Sequence, residues 1–233
     1  GVAFPTSTKE VSKIIKYSNK KNIKLIPQGG NTGLVGGTSP TQNKKEIIIN
    51  FEKMNKIIEI DKENRCIEVE AGTIIDNVIS AIDKEDYLFP LKMSSTGSSQ
   101  VGGAIATNAG GINVVKYGSI RQNILALEVV LANGESLKFG SKVIKDNTGY
   151  NLKDLFCGSE GTLGIVTKAT FKIYPKPKDH VHCFISFKDL SDVLTVSNFL
   201  LNEFDEKIES LELIPDLSFE LCIKHKLLKK SFF

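Results

Sequence analysis

The glycines of this chain are concentrated in three short stretches. Of the 19 glycines, five fall within residues 28–38, five within 94–111 and three within 158–164. A single glycine commonly marks a turn, because glycine adopts positive φ without steric cost. Thirteen glycines in three places instead indicate backbone that another molecule approaches closely. The sequence therefore predicts a ligand that is held largely by main-chain groups.

The middle stretch has a second unusual property. No residue from Met93 to Val115 is charged, a run of 23 in a chain that is 24% charged. The run is too polar for a plain core, because SSTGSSQ is followed by GGAIATNAGG. Small side chains with many N–H and hydroxyl donors suit a wall against which a flat, polar ligand lies.

The first stretch, PQGGNTGLVGG, narrows the chemistry of that ligand. It follows IKLI, which is typical of a strand, and contains no Lys or Arg. Successive glycine N–H groups can form a concave nest for an anion such as a pyrophosphate without a cationic side chain. A Walker phosphate loop is excluded because the chain has no Gly-Lys dipeptide, and a Rossmann site is disfavoured because Gly-x-Gly-x-x-Gly is absent. The residues indicate a diphosphate-linked cofactor that is bound by neither of these two motifs.

Composition excludes several other classes of protein. The 30 basic and 27 acidic residues give a net charge of +3 and form no basic stripe for nucleic acid. The four cysteines are far apart and without zinc-site spacing, so we expect reduced thiols of an intracellular protein. No apolar run reaches the ~18 residues of a membrane span. The chain begins at Gly1 rather than Met and ends in LLKKSFF, so we expect a piece of a longer protein.

Hydrophobic periodicity predicts alternating helices and strands in two domains. In the first, residues 1–177, we expect helices at 7–21 and 73–85, strands at 23–27, 46–50, 56–60, 66–72 and 162–175, and a hairpin at 124–140. Asn133-Gly134 predicts a type I′ turn in that hairpin. In the second, residues 178–233, we expect a strand (181–187), a helix (190–203), a strand (207–214) and a helix (216–226).

Four ordered motifs resemble one enzyme family. They are PQGGNTGLVGG, FPLKMSSTGSSQVGGAIATNAGG, YGSIRQNILALEVVLANGE and KDNTGYNLKDLFCGSEGTLGIVTKATFKIYP. They resemble FAD-binding oxidoreductases of the vanillyl-alcohol oxidase superfamily, in the branch of the glycolate oxidase subunit, D-lactate dehydrogenase and D-2-hydroxyglutarate dehydrogenase. The resemblance implies an α+β fold. A PCMH-type FAD-binding domain of two α/β subdomains (1–177) would be followed by the start of a ferredoxin-like, substrate-binding cap (178–233).

The resemblance also implies which residues contact FAD. Residues 28–34 would wrap the pyrophosphate, 94–111 would follow the ribityl chain and isoalloxazine, and Glu160 with its neighbours would approach the adenosine. Asn31 stands where relatives with covalent flavin have a His, so non-covalent FAD is implied. The implied contacts are Pro27, Gln28, Gly29, Gly30, Asn31, Thr32, Gly33, Leu34, Pro90, Ser94, Ser95, Gly97, Ser98, Val101, Gly102, Gly103, Ala106, Thr107, Asn108, Gly110, Gly111, Tyr117, Gly118, Glu160, Gly161 and Ile165.

The implied activity is oxidation of a D-2-hydroxy acid, of the D-lactate, glycolate or D-2-hydroxyglutarate type, with hydride passing to FAD. No catalytic base and no metal site are assigned, and Arg121, His180, His182 and His225 are interpreted as ordinary structural or surface residues. In similar proteins the substrate-binding residues, and in some a metal, lie in the cap beyond residue 233. This chain alone is therefore expected to bind FAD without oxidising substrate.

Two other functions stay open. One is a UDP-N-acetylenolpyruvoylglucosamine reductase, which would use NADPH, although the long motif at 145–165 speaks against it. The other is an FAD-binding subunit that depends on partner chains for chemistry. The expected location is the cytoplasm, or the mitochondrion in a eukaryote. The sequence identifies neither the electron acceptor nor the oligomeric state, and a homo-oligomer stays open.

Overall fold

The computed structural model describes residues 1–41 and 45–229. The strands are β1 (Val2–Ala3), β2 (Lys24–Gln28), β3 (Glu46–Asn50), β4 (Ile57–Asp61), β5 (Cys66–Glu70), β6 (Tyr87–Leu88), β7 (Ile124–Leu131), β8 (Ser136–Gly140), β9 (Gly164–Lys172) and β10 (Tyr174–Pro175). The α-helices are α1 (Thr8–Lys21), α2 (Ile75–Asp83), α3 (Val101–Ala106), α4 (Val114–Tyr117), α5 (Ile120–Asn123), α6 (Lys153–Phe156), α7 (Leu190–Phe204) and α8 (Asp216–Lys224). A short 3-10 helix spans Asp205–Lys207.

The N-terminal part is a small parallel sheet with α1 beside it. In this sheet β3 lies between β1 and β2. Ser7 caps α1 by accepting a hydrogen bond from the Glu10 N–H at 3.3 Å, and the Glu10 carboxylate accepts one from the Thr6 N–H at 2.8 Å. Val11 and Ile15 are buried in a shared apolar cluster. The predicted first helix and the strands on either side of the first glycine-rich stretch are confirmed.

The second part is an antiparallel sheet of five strands in the order β4-β5-β9-β7-β8. Helices α2 and α3 pack with it around one apolar core, in which Val78, Ile105 and Phe171 have no exposed surface. These two sheets, a two-stranded antiparallel sheet of β6 and β10, and the helices together give the α+β fold that was predicted.

A buried carboxylate joins these two parts. Glu128 on β7 is only 7% exposed, and Thr8 at the start of α1 donates its hydroxyl to Glu128 Oε1. Lys168 Nζ lies 3.3 Å from Glu128 Oε2. Burial alone would raise the pKa of Glu128, but the Thr8 hydroxyl and the Lys168 ammonium group hold it below its usual value. These bonds fix α1 against the larger sheet.

The predicted hairpin is present, but its predicted turn type is wrong. A type I′ turn needs positive φ at both central residues, and only Gly134 has it, with φ 82°. Gly134 N–H donates to Leu131 O and Leu131 N–H donates to Glu135 O, both at 2.8 Å. This is a type I turn followed by a left-handed glycine. Asn133 stabilises it through its side chain, which accepts a hydrogen bond from Glu135 N–H at 2.9 Å.

Beyond Pro175 the helices were predicted correctly and the strands were not. Helices α7 and α8 match the two expected helices, whereas residues 181–187 and 208–214 form no strand. The apolar side chains of these two segments are largely exposed, and Val181 retains 85% of its surface. A strand needs a neighbour to receive its backbone hydrogen bonds, and no described strand lies beside them. Residues 230–233 of the predicted second domain lie outside the described residues, and the domain boundary itself stays a prediction.

Among residues 1–41 and 45–229, no helix is both long enough and apolar enough to cross a membrane. All four cysteines are unpaired thiols, and Cys66 and Cys157 are buried. Burial raises the pKa of the Cys66 thiol.

Candidate cofactor-binding site

Three segments that are distant in sequence meet on one side of the molecule. A Cβ atom added to Gly30, in the loop after β2, would lie 1.8 Å from Ser98 O. The Glu160 N–H donates to Ala106 O at 2.8 Å, at the end of α3. A Cβ on Gly161 would lie 3.2 Å from Pro27 Cγ. We call residues 27–34, 94–111 and 158–161 the cradle, and the structure thus brings the three glycine-rich stretches together.

The first wall of the cradle is a loop that is fixed at its base and open along its length. Gln28 Nε2 donates to Thr38 O at 3.1 Å, and Thr38 Oγ1 donates to Asn31 Oδ1 at 2.6 Å. Between these bonds Leu34 is 100% exposed. A Cβ on Gly33 would meet no protein atom within 4 Å. The loop therefore has a defined shape, and among residues 1–41 and 45–229 no protein atom lies close to Gly33 on its open side.

Two adjacent glycines in the second wall of the cradle, residues 94–111, have different roles. The Gly102 N–H donates to Ala71 O at 2.7 Å, and a Cβ on Gly102 would lie 3.0 Å from Ala71 Cβ. Gly102 is therefore required by close packing. A Cβ on Gly103 would meet nothing within 4 Å, so Gly103 borders open space.

Thr107 and Asn108, the side chains expected to bond the cofactor, already have protein partners. Thr107 Oγ1 donates to Gly103 O at 3.0 Å. Asn108 has φ 49°, and its Oδ1 accepts from Ser119 Oγ at 2.9 Å and from Arg121 N at 3.3 Å. The hydroxyl oxygen of Thr107 retains capacity to accept a bond. Their bonds to a cofactor stay predictions.

The third wall is a tight turn that Arg121 supports. Gly158, Glu160 and Gly161 all have positive φ, at 83°, 50° and 77°. The Arg121 guanidinium donates to Asp154 O at 2.7 Å and to Cys157 O at 2.5 Å. Arg121 therefore acts as a structural partner of this turn. Burial raises the pKa of the Cys157 thiol, although the nearby guanidinium opposes the rise.

Several predicted contact residues face the protein instead of the open cradle. Val101 and Ile165 are buried in the apolar core, and Pro90 is buried with its carbonyl bonded to Asn113 Nδ2 at 3.1 Å. The Tyr117 ring lies 4.7 Å from that of Tyr174. Burial, and the carboxylate of Glu209, raise the pKa of Tyr117.

Two of the cradle residues that were not selected from the sequence stand out in the structure. Ser99 and Gln100 lie between the predicted contacts Ser98 and Val101, inside the same uncharged run. The Ser99 and Thr32 hydroxyl oxygens are 2.9 Å apart, which links the first two walls. Gln100 is 8% exposed, and its Oε1 has no hydrogen-bond partner among the described residues. The uncharged run was the available signal, but it does not distinguish these two from their neighbours.

Other places offer less for a ligand. A cavity of about 300 Å³ lies beside β7 and β8, but its cations already have protein partners. Arg121 is bonded as above, Lys172 donates to Gln122 O at 2.8 Å, and Lys153 donates to Asn151 Oδ1 at 2.6 Å. The His180 and His182 rings are exposed, with centroids 5.2 Å apart. In the described part of the chain no three His, Cys, Asp or Glu residues form a group that could hold a metal ion.

The cradle fits a diphosphate-linked flavin. Open glycine backbone allows a phosphate to approach main-chain N–H groups closely, and the uncharged second wall can lie against a flat ring.

Comparison with known proteins supports the same cofactor. A family model described as "FAD binding domain" matches residues 1–140. Mitochondrial D-2-hydroxyglutarate dehydrogenase of Arabidopsis thaliana is 39% identical over 95% of this chain and 39% of its own length. D-2-hydroxyglutarate–pyruvate transhydrogenase DLD3 of Saccharomyces cerevisiae is 38% identical over 96% of this chain and 45% of its own length. This chain therefore spans less than half of either relative.

A solved structure extends the likeness to three dimensions. One crystal form of alkyldihydroxyacetonephosphate synthase superposes with a TM-score of 0.67 at 27% identity, covering 76% of this chain and 32% of that one. The predicted resemblance is confirmed in both sequence and fold. The chain belongs to the FAD binding domain family, and its cofactor is FAD.

Proposed function

We propose that the protein is an FAD-dependent dehydrogenase that oxidises a D-2-hydroxy acid to the 2-oxo acid. The observation that supports this most directly is the identity of 38–39% to two proteins whose names specify D-2-hydroxyglutarate, over almost the whole of this chain. D-2-Hydroxyglutarate is therefore the first substrate to test, before D-lactate and glycolate.

The cradle contributes the cofactor half of such a reaction. Bound FAD supplies an acceptor for the hydride that leaves the substrate carbon, while a base must take the hydroxyl proton. Residues 28–34 would hold the diphosphate through main-chain N–H groups, and the uncharged wall at 94–111 would shield the ring system from water. Asn31 cannot form the covalent flavin bond that a His forms, so the flavin would be held non-covalently.

The described residues include no candidate for the base or for a carboxylate clamp. Arg121 is bonded to two main-chain oxygens, and His180 and His182 lie exposed outside the cradle. The proposal therefore assigns substrate binding to a region beyond the cradle, with residues 178–233 beginning that region. Expected locations are the cytoplasm or, in a eukaryote, the mitochondrion, since the plant relative is named as mitochondrial.

Anaerobic reduction of the bound flavin tests this proposal. D-2-Hydroxyglutarate, D-lactate, L-lactate, glycolate and NADPH would each be added separately while absorbance near 450 nm is followed. The full-length protein is expected to bleach rapidly with a D-hydroxy acid and slowly with its L enantiomer. The chain of 233 residues is expected to bind FAD and not bleach.

Two outcomes would contradict the proposal. Bleaching of the full-length protein by NADPH alone would favour the reductase. Bleaching by no compound, with FAD bound stoichiometrically, would favour a subunit that depends on a partner for chemistry.

A further inference from the structure

Charge is distributed unevenly along this chain. Residues 1–56 contain ten lysines, no arginine and three acidic residues, which give a net charge of +7. The remaining residues contain 20 basic and 24 acidic side chains, a net charge of −4. The overall charge of +3 therefore conceals a strongly basic N-terminal part. Such an asymmetry is typical of proteins that contact nucleic acid or a membrane.

Helix α1 places four of these lysines on one face. They follow one another at intervals of four, three and four residues, which places them within about 60° around the helix axis and along about 16 Å of its length. All four are exposed, opposite the buried side of the helix. We call Lys9, Lys13, Lys16 and Lys20 the lysine face. The basic residues were expected to form no stripe, and this expectation is wrong for α1 because residues three and four apart share one face of a helix.

The orientation of the lysine face is fixed by the contacts of α1 with the rest of the protein. Asn19 Nδ2 donates to Ala132 O at 2.6 Å, at the turn of the β7–β8 hairpin. The hydroxyl of Ser12 donates to Gly134 O in the same turn. With Thr8 bonded to Glu128, these contacts hold both ends and the middle of the helix. The lysine face is therefore presented to solvent in a defined direction.

The lysine face lacks the acidic partners that other lysines have. Seven lysines beyond residue 56 lie within 3.9 Å of a carboxylate oxygen, as Lys62 does at 2.5 Å from Glu85. In the described part of the chain no lysine of the lysine face forms such a pair. Glu10, the only acidic residue of α1, accepts hydrogen bonds from the Thr6 N–H at 2.8 Å and the Thr6 hydroxyl at 3.0 Å. The positive charge is therefore available to an anionic partner.

The residue types favour a lipid surface over a protein or a nucleic acid as that partner. All ten basic residues of 1–56 are Lys. Arg recognises single phosphates and carboxylates with a fixed fork of donors and is enriched at protein interfaces, where Lys is depleted. Lys instead attracts a surface of many mobile anionic headgroups without a fixed pairing geometry, and clusters of about four to eight on an amphipathic helix are typical of such binding.

Tyr17 adds a second feature of a membrane surface. It flanks the lysine face on α1 and keeps 56% of its surface exposed. Tyr combines an apolar ring with a polar hydroxyl and is enriched where a protein meets the headgroup layer. We propose that the lysine face of α1 docks the protein on the surface of an anionic phospholipid membrane. The attraction is electrostatic, so it weakens as salt is added.

Cosedimentation with vesicles tests this proposal. The full-length holoprotein would be mixed with vesicles of phosphatidylcholine alone, or of phosphatidylcholine and phosphatidylserine in a two-to-one mixture. The wild type should sediment with the anionic vesicles at low salt and not with the neutral ones. Lys13→Gln combined with Lys16→Gln should lower the partition coefficient about 25-fold, since each Lys near an anionic surface contributes about fivefold.

A matched control separates the lysine face from net charge. Lys62→Gln combined with Lys176→Gln removes the same two charges from exposed lysines outside α1, each of which is paired with a carboxylate. Its partition coefficient should stay within about twofold of the wild-type value. The melting temperatures of both double variants should match the wild type, because Gln and Lys have similar helix propensities and all four positions are exposed.

Several outcomes would contradict the proposal. Equal losses in the two double variants would show that net charge and not the lysine face is responsible. Equal binding of the wild type to neutral vesicles would exclude an electrostatic surface. Absence of vesicle binding, with retention on duplex DNA or a concentration-dependent dimer that the α1 variant abolishes, would assign the face to nucleic acid or to a second copy. The proposal is independent of the substrate, so its failure would leave the proposed oxidation of D-2-hydroxy acids untouched.

Discussion

Glycines have opposite roles in two regions of the molecule, the larger sheet and the cradle. At Gly72 a Cβ would lie 1.8 Å from Phe51 O, so the protein itself occupies the space that a side chain would need. At Gly33 a Cβ would meet no atom within 4 Å. Glycine supports the fold in the first case and leaves room for a ligand in the second. A similar contrast separates Glu128, which has several protein partners, from Gln100, whose Oε1 has none among the described residues.

The largest effect on stability is expected at the closed glycine. Gly72→Ala would force Cβ against Phe51 O and Met54 O, which are backbone atoms and cannot move aside as a flexible side chain would. We expect a loss of about 3 kcal/mol in the free energy of unfolding, the upper range for an overpacked site. Urea denaturation of the apoprotein measures it. A wild-type midpoint and slope would show that the two kinds of glycine do not differ.

The next largest effect is expected at Gly33, the glycine that borders open space in the cradle. Gly33→Val should raise the Kd for FAD by about 100-fold or more, because its branched side chain fills the space through which the backbone meets phosphate. The cause is contact and not backbone strain, since the φ of Gly33 lies outside the left-handed region. The melting temperature of the apoprotein should stay the same. Fluorescence titration and calorimetry provide the two measurements.

Gly134→Ala is the control for that substitution. Gly134 has φ 82°, and the atoms nearest to an added Cβ belong to Lys16, with Cγ at 2.6 Å, and to no residue of the cradle. Stability should fall by about 1 kcal/mol from the strained left-handed backbone, with FAD affinity unchanged. Wild-type FAD affinity in Gly33→Val would contradict the assignment of residues 28–34 to the diphosphate.

The smallest effect concerns Glu128 and depends on pH. Its pKa is lower in the folded protein than in the unfolded chain, where a Glu has a pKa of about 4.3, so the folded state favours the charged form. Its contribution to stability is complete above that value and is lost as the pH falls through the lower, folded pKa. Glu128→Gln should therefore cost about 1 kcal/mol at pH 7 and less at pH 3. Urea denaturation at both pH values tests this, with the exposed Glu135→Gln as control. An equal cost at both pH values would contradict it.

Local signals predicted most of the fold. Ser7 and Glu10 fixed the start of α1, and the alternation of residues 124–140 predicted the hairpin, because caps and turns depend on neighbours in sequence. The predictions of strands at 181–187 and 207–214 were wrong because a strand depends on a partner distant in sequence, which hydrophobic periodicity does not identify. The turn type predicted at Asn133 was also wrong, because an asparagine can stabilise a turn by accepting a hydrogen bond with its side chain as well as by adopting left-handed backbone.

The site was predictable in outline and not in detail. Clustered glycines located all three walls of the cradle, since missing side chains are visible in a sequence. Whether a given glycine is closed, as Gly102 is, or open, as Gly103 is, depends on Ala71, which is 31 residues away from Gly102. In the same way, the unpaired oxygen of Gln100 is a property of its surroundings, and an uncharged run of sequence gives no indication of it.

The cradle is assembled from segments near the beginning, middle and end of residues 27–161, which determines when FAD can enter. The site does not exist until the turn at 158–161 has packed against Ala106 and Pro27. We therefore expect FAD to bind the folded chain and to slow its unfolding more than it accelerates its folding. In a cell with too little flavin, new copies of the protein would fold at the usual rate and be degraded sooner. The abundance of the protein would then report the flavin supply even though its synthesis is unchanged.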